Sequence, residues 1–392
     1  MTTANSATQK IPRSIYLHWP WCVKKCPYCD FNSHRLPAEE RQHWEARYVE
    51  ALCRDLAAWR SHIDEAGNEP IVSIFIGGGT PSLMSPESLE RLLETADKLY
   101  PLAEDCEITL EANPGTIDES RFAAFKRAGV NRLSLGIQSF NDAALARLGR
   151  IHNAADAARA AQAAGQIFEN FNLDLMFGLP GEGMAEWAHS LSRAIDAGAT
   201  HLSCYQLTIE PGTAFAKRVP EGLPDDELLA DMGDFTAQTL AEAGFEHYEI
   251  SGYAKPGRKC RHNLNYWTFG DYLAAGAGAH GKLTTAQGIV REMRWASPAK
   301  YLNAVEHGGS GAEETLVVEK SALPFEFMLN ALRLTEGVPA SFFTERTGVP
   351  IAVIEPTLES LRRQGLLVAD KTRIQATEKG LLFLSDLQEA FL

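Results

Sequence analysis

Three cysteines, Cys22, Cys26 and Cys29, fall within eight residues of the string WCVKKCPYCDF at the spacing C-x3-C-x2-C. The chain has seven cysteines in 392 residues, so chance is a poor explanation for such a triplet. Thiolates this close together hold metals. A closed zinc site needs a fourth ligand, which only Asp30 or His34 is near enough in sequence to offer, and such sites usually come as two pairs. A disulfide with one thiol left over is no better a reading in a long chain whose opening, MTTANSATQK, lacks the charged and apolar segments of a secretory leader. Cluster iron normally takes four thiolates. Three from one loop therefore leave one iron of a 4Fe-4S cube open to an outside ligand, and chemistry can happen there. Cys53, Cys106, Cys204 and Cys260 are scattered and read as small buried residues, with Cys260, beside RHNLNYW, the one to watch.

This spacing resembles the radical S-adenosylmethionine superfamily, whose members bind that cofactor to the open iron and cleave it reductively to a 5′-deoxyadenosyl radical. The cofactor carries an ammonium, a carboxylate and a ribose diol, so its pocket needs acceptors, a cation and hydrogen-bonding groups. Residues of these types stand at the expected ends of strands: Gly77 to Pro81 in GGGTP, Glu111 in LEANPG, Gln138 in GIQSF and Asp174 in NLDLMFGLPGE. Carbonyls of Gly78 and Gly79, the Thr80 hydroxyl and the Glu111 carboxylate suit the ammonium. Arg150 in LGRIHN suits the carboxylate, Gln138 and Asp174 the ribose, and Tyr28 can stack on the adenine. Each has a plainer reading as a strand-end cap or surface ion pair, weakest for Glu111 and Asp174, which sit in apolar strands where an unpaired carboxylate is costly.

Together with YLHWPWCVKKCPYCDF, these segments resemble the oxygen-independent coproporphyrinogen oxidases and their relatives over essentially the whole chain. By that resemblance Tyr16, Tyr28, Gly78, Gly79, Thr80, Glu111, Gln138, Arg150 and Asp174 match cofactor contacts, Tyr16 on no other ground. Two features depart from the oxidases. Those resemble C-x3-C-x2-C-x-C, whereas Phe31 stands at the last position; and RHNLNYW, 261–267, matches the HNxxYW motif of the HemW branch, as do CPYCDFNSH and GAGAHGK. The resemblance implies a haem chaperone that takes haem as cargo and passes it to an acceptor protein, while keeping a 4Fe-4S cluster and S-adenosylmethionine. It makes His262 a candidate iron ligand, Tyr266 and Trp267 candidate stacking partners, and Asn263 a group to orient the imidazole. By residue type alone a packed, hydrogen-bonded His262 is the stronger reading. His280 is a second ligand candidate. Lys255, Arg258, Lys259 and Arg261 could meet propionates or simply form a solvated basic turn. Oxidative decarboxylation of coproporphyrinogen III is the runner-up function, and radical modification of transfer RNA the third.

The elements that must position these residues follow from periodicity. Short β-branched runs at 14–18, 71–76, 107–111, 132–137, 172–177 and 201–207 alternate with amphipathic stretches at 86–99, 118–128, 154–165, 184–197 and 225–243. Trp44, Tyr48, Leu52, Leu56 and Trp59 form a further apolar stripe at helical spacing. Six βα units fit where a complete eight-unit barrel needs about 250 residues, which predicts an α/β fold built on a partial (β/α)6 barrel over 14–253, with an edge strand at 247–253. A flexible segment, 1–13, precedes it. A basic, turn-rich connecting region, 254–320, follows and carries HNxxYW. The last part, 321–392, reads as three helices and a β-wing, a winged-helix-like domain.

Charge limits the partners. Acidic residues number 51 against 37 Lys and Arg, a formal net charge of −14, and the mean field repels phosphate backbones. Nine acids against seven bases in 321–392 remove the footprint that DNA binding by a winged helix requires, leaving a structural or partner-docking role. No apolar run approaches the roughly 18 residues of a membrane span. The expectation is a cytoplasmic protein whose partners are haem and an acceptor protein, not nucleic acid or membrane.

Overall fold

The structure is a computed structural model that describes residues 11–36, 38–63, 69–116 and 118–392. Of the predicted N-terminal segment 1–13, residues 1–10 lie outside it. Strands β1 (Arg13–Trp19), β2 (Ile71–Gly78), β3 (Leu102–Ala112), β4 (Arg132–Gln138), β5 (Phe171–Phe177) and β6 (His201–Gln206) lie side by side in chain order, all parallel. Beyond β6 the sheet continues with β8 (Gly252–Ala254) and then β7 (Glu246–Glu249), both antiparallel. The single edge strand expected at 247–253 is thus a hairpin, because 250–251 form its turn. Residues 254–320 do more than connect. They supply β9 (Asp271–Ala275), parallel to β1, and an antiparallel meander of β10 (His280–Thr285), β11 (Gly288–Arg294) and β12 (Ala312–Val317), completing a 12-stranded sheet. The barrel is open because β9, not β6, takes the free edge of β1.

Helices α1 (Arg41–Ala58), α2 (Pro86–Leu99), α3 (Glu119–Arg127), α4 (Asp142–Arg147), α5 (Ala154–Ile167), α6 (Met184–Asp196) and α7 (Asp226–Glu242) cover the sheet. Their starts carry side-chain caps that satisfy otherwise orphaned backbone donors: Ser85, Asp118, Asn153 and Asp225 accept from the N–H three residues on. Leu133, Leu135 and Ile137 of β4, Leu173 and Leu175 of β5 and Leu202 of β6 alternate toward these helices and are fully buried. The opposite face of the same strands is polar.

Between α1 and the meander lies a buried carboxylate, Asp55. It accepts from the N–H of Gly276 (3.3 Å) and Gly311 (3.0 Å), from the Tyr301 hydroxyl (3.0 Å) and from Arg294, whose Nε and Nη2 are each 3.3 Å away. Asp55 and Arg294 are both wholly buried. Helix α8 (Arg261–Trp267) lies under the starts of the strands. After α9 (Pro298–Gly308) and β12, the C-terminal part packs α10 (Leu323–Ala331), α11 (Ser341–Thr347) and α12 (Glu355–Arg363) with a two-stranded wing, β13 (Val338–Pro339) and β14 (Arg373–Ile374). Two short helices not read in the sequence, α13 (Glu378–Leu382) and α14 (Leu384–Glu389), close it. Phe327, Phe343, Leu358 and Leu387 form its core, which Phe269 joins from the sheet side at 5.5 Å from Phe327. Among the described residues no helix is long and apolar enough to cross a membrane.

Removing a buried ion-pair partner strands the other charge, so Asp55→Ala is expected to cost about 3–5 kcal/mol of stability in denaturant unfolding. A loss under about 1 kcal/mol would show that this carboxylate does not hold the meander to α1.

Candidate functional site

A cavity of about 410 Å³ opens among the carboxyl ends of the parallel strands and runs inward along their polar face. Its mouth is the cysteine loop, where Cys22, Cys26 and Cys29 all border it as free thiols. Each sulfur has polar neighbours. The Thr80 hydroxyl donates to Cys22 (3.5 Å), Arg150 Nη1 reaches Cys26 (3.7 Å), and the Ser33 hydroxyl lies 3.9 Å from Cys29. Burial pushes the Cys22 and Cys29 thiols up, the Thr80 bond partly opposing it at Cys22. Among the described residues no three His, Cys, Asp or Glu side chains form a site for a single metal ion. His34, a fourth ligand that zinc would require, bonds Asn32 Oδ1 at 3.1 Å.

The glycine run is shaped by close approach to this loop. Gly79 N–H donates to Trp19 O (2.7 Å) and Thr80 N–H to Trp21 O (2.8 Å). A Cβ on Gly79 would lie 2.6 Å from Trp21 O, and Gly78 has φ +115° with His18 filling its Cβ position. Gly78 N–H also donates to Glu111 Oε2 (3.0 Å). Burial, and then the charge of Asp174 across the cavity, push Glu111 up to about 8 despite that bond. Asp174 is likewise raised by burial, against bonds from Asn172 Nδ2 (2.7 Å) and Ser134 Oγ (3.3 Å). Two carboxylates thus face one cavity and both resist ionising.

Arg150 carries the opposite charge. Its Nη2 donates to Asn113 Oδ1 and Gly136 O, each at 2.7 Å, and its Nη1 to the Tyr28 hydroxyl (3.4 Å). Burial works against its charge, yet the Tyr28 and Cys26 groups beside it raise it above the usual arginine value. Gln138, at the end of β4, sits at φ +68°, a backbone conformation that costs a non-glycine residue about 1–3 kcal/mol and that clusters at ligand sites. Its amide makes no hydrogen bond with the described residues and lines the cavity.

The cavity therefore gathers Cys22, Cys26, Tyr28, Cys29, Gly78, Gly79, Thr80, Glu111, Gln138, Arg150 and Asp174. Tyr16 does not border it. Its hydroxyl donates to His18 Nδ1 (2.9 Å) one layer behind the wall, while His18 Nε2 donates to Asn32 O (2.8 Å) beyond the cysteine loop. The HNxxYW residues divide. Asn263 and the preceding Cys260 line the cavity. His262 is buried behind Phe75, its ring stacked at 4.9 Å, with Nδ1 bound to Ser73 Oγ (3.0 Å) and Nε2 to the Tyr266 hydroxyl (3.1 Å). Burial holds it neutral, at about 3. Trp267 points away and packs on the C-terminal domain under the Arg333 guanidinium, 4.4 Å from its ring. Of the basic stretch, Lys259 pairs with Glu246 (3.1 Å) and Arg261 with Asp105.

Sequence reasoning missed the inner half of the wall: Arg132 and Ser134 on β4, Asn172 on β5, and His201, Ser203 and Tyr205 on β6. The signal was present. Positions 132, 134, 136 and 138, then 172 and 174, then 201, 203 and 205 carry polar residues or glycine at period two, opposite uniformly apolar neighbours.

An open α/β barrel with a C-x3-C-x2-C loop at its mouth defines the radical S-adenosylmethionine class, and residues 16–194 match the Radical SAM superfamily while 318–383 match the HemN C-terminal domain. The solved structure of coproporphyrinogen III oxidase (HemN) from Escherichia coli superposes with a TM-score of 0.81 over 97% of this chain and 90% of that one, at 21% identity, which establishes the shared fold. Heme chaperone HemW of Escherichia coli K12 is 47% identical over 97% of this chain and 98% of its own length. HemW of Bacillus subtilis is 34% identical over 97% and 99%. The chain belongs to the HemW family of the radical S-adenosylmethionine superfamily.

The raised Glu111 has a measurable consequence. Its folded value of about 8 exceeds its ordinary 4.5, so the folded protein holds the extra proton between those values; its contribution to stability is full below 4.5 and lost as pH rises through 8. Glu111→Gln should flatten that decline in unliganded protein. A cationic ligand, tested with S-adenosylmethionine by calorimetry in buffers of different ionisation enthalpy, should bind up to tenfold more tightly for each unit that pH rises toward about 8, with proton release that the variant abolishes. Equal pH dependence in wild type and variant would remove Glu111 from the ligand's charge balance.

Proposed function

We propose that the chain binds haem and transfers it to an acceptor protein, holding a 4Fe-4S cluster on Cys22, Cys26 and Cys29 and S-adenosylmethionine in the adjoining cavity. The observation that carries this reading is the convergence of three free thiols, two half-buried carboxylates and a half-buried guanidinium on one cavity. A zwitterionic sulfonium nucleoside matches that charge pattern. Glu111 and the Gly78–Gly79 backbone would take its ammonium, Arg150 its carboxylate, Gln138 and Asp174 its ribose hydroxyls, and Tyr28 its adenine. When bound, the cluster supplies an electron and an iron with a free coordination position. Thr80, Arg150 and Ser33 then act as donors to its thiolate sulfurs, which sets how readily the site accepts charge.

Haem enters from the relatives, which are named heme chaperone HemW. The HNxxYW residues are the candidate haem region, and their geometry defines what each would have to do. Ligation through His262 Nε2 would displace the Tyr266 hydroxyl from it. His280, on β10, is exposed and makes no hydrogen bond with the described residues, so it is the available imidazole if His262 stays in its stack. Phe31, exposed at the cavity rim where the oxidases resemble a fourth cysteine, removes a thiolate from that position.

Anaerobic reconstitution followed by parallel assays tests the proposal. The wild-type chain should hold about four irons, bind haem, pass it to an apo-haemoprotein, and leave coproporphyrinogen III unconverted under reducing conditions with S-adenosylmethionine present. Cys26→Ala should lose the cluster. His262→Ala should change the haem spectrum if its imidazole ligates the iron, and the spectrum of His280→Ala decides the alternative. Robust decarboxylation of coproporphyrinogen III with no haem transfer would replace the proposal with an oxidase; full iron content in Cys26→Ala would overturn the cluster assignment.

A further inference from the structure

Two guanidiniums line the cavity, Arg150 half-buried and Arg132 buried, and their donors are committed differently. Arg150, near the cysteines, gives both Nη groups to protein acceptors. Arg132 opens β4 at the far end, ~20 Å down the strand from Gln138 at about 3.3 Å per residue. It is 2% exposed, its Nε has no hydrogen-bond partner, and its ion pair with Glu107 Oε2 is 4.0 Å long. Glu107 is occupied elsewhere: its Oε1 accepts from Arg261 N–H (3.0 Å) and Cys260 Sγ (3.5 Å) at the start of α8.

The groups around Arg132 are uncharged or already engaged. His201 gives Nδ1 to Asn172 Oδ1 (2.7 Å) and takes the Tyr248 hydroxyl on Nε2 (2.9 Å). Asn172 Nδ2 bonds Ser134 Oγ (2.8 Å) and Asp174, and Ser203 Oγ donates to Asn172 Oδ1 (3.0 Å). Asn263, from the HNxxYW motif, lines the cavity as well; its backbone N–H bonds the Cys260 thiol, and its side-chain amide makes no hydrogen bond with the described residues. A buried guanidinium thus stands at a cavity open to ligand, with Glu107 as an ion-pair partner at 4.0 Å and its Nε without a hydrogen bond. The fork therefore keeps donor capacity that a carboxylate in the cavity could take up.

We infer that Arg132 and Asn263 form a carboxylate-binding subsite at the inner end of the cavity, distinct from the Arg150 end. This rests on the reading of the cavity as the ligand pocket of a haem-handling protein. Arg150 takes the cofactor's carboxylate in that reading, so the subsite is assigned to a haem propionate, and occupancy by the methionyl carboxylate of S-adenosylmethionine is the outcome that would reassign both arginines. A guanidinium fork takes either in the same bidentate way. Glu107 keeps its bonds from α8 when Arg132 is shortened, so Arg132→Gln is expected to fold.

The experiment measures dissociation constants of the reconstituted full chain for haem, haem dimethyl ester and S-adenosylmethionine, with melting temperature and iron content as controls. If a propionate occupies the subsite, wild type binds haem at least tenfold more tightly than its dimethyl ester, and Arg132→Gln erases that preference without changing S-adenosylmethionine. If the cofactor's carboxylate occupies it, Arg132→Gln weakens S-adenosylmethionine at least tenfold and leaves the haem-to-ester ratio alone. Asn263→Asp, which puts a negative charge beside the subsite without breaking any bond, should reproduce whichever loss is seen and decides the matter if Arg132→Gln does not fold. Unchanged constants in folded variants overturn the subsite. Should wild type bind no haem, the haem reading fails, and the S-adenosylmethionine constants alone decide the role of Arg132.

Discussion

Everything in this protein is arranged around charge buried inside one face of a parallel sheet. The interiors of α/β barrels are ordinarily packed with branched apolar side chains. Here β3 to β6 turn Glu111, Arg132, Asp174 and their amide and hydroxyl neighbours inward, and two carboxylates there are pushed above their usual range. That arrangement is unfavourable in isolation and is sustained by the opposite face, where Leu133, Leu135, Leu173 and Leu202 lock the strands against the helices. The apolar face supplies stability; the polar face lines the cavity.

The same constraint explains the loops. Gly78 and Gly79 let the β2 loop close on the cysteine loop, and Gly136 leaves room for Arg150 Nη2 and Gln138 Nε2 above β4. Arg150 links the two halves of the mouth, touching Cys26 on one side and the β4 carbonyl of Gly136 on the other. At the inner end, α8 is the shared wall. Its start is fixed by Glu107, Asn263 faces the cavity, and Trp267 at its end packs on the C-terminal domain. Asn263 therefore stands on the helix that seats that domain.

Much of this was legible in the sequence, because short local patterns carried it. The cysteine spacing, the strand-end residues and the order of β1 to β6 follow from motif and periodicity. The meander of β9 to β12 did not, since its entry, AAGAGAHGK, has neither helical nor strand alternation and β9 finds its place only by pairing with β1, 258 positions earlier at Arg13 and Asp271. The burial of His262 was equally hidden: its partner Ser73 lies 189 residues away. Arg132 was overlooked for a different reason. It stands first in an otherwise apolar-looking strand, and only the combined alternation of three strands marks it as inward-facing.

In the proposed function the three-thiolate loop leaves an iron open to the ligand in the adjoining cavity. Electron paramagnetic resonance of the dithionite-reduced, anaerobically reconstituted chain, with and without S-adenosylmethionine, tests it most directly. The expected result is a reduced 4Fe-4S signal whose g values shift when S-adenosylmethionine is added, because the ligand reaches the open iron. A reduced-cluster spectrum that is identical at saturating S-adenosylmethionine would contradict it.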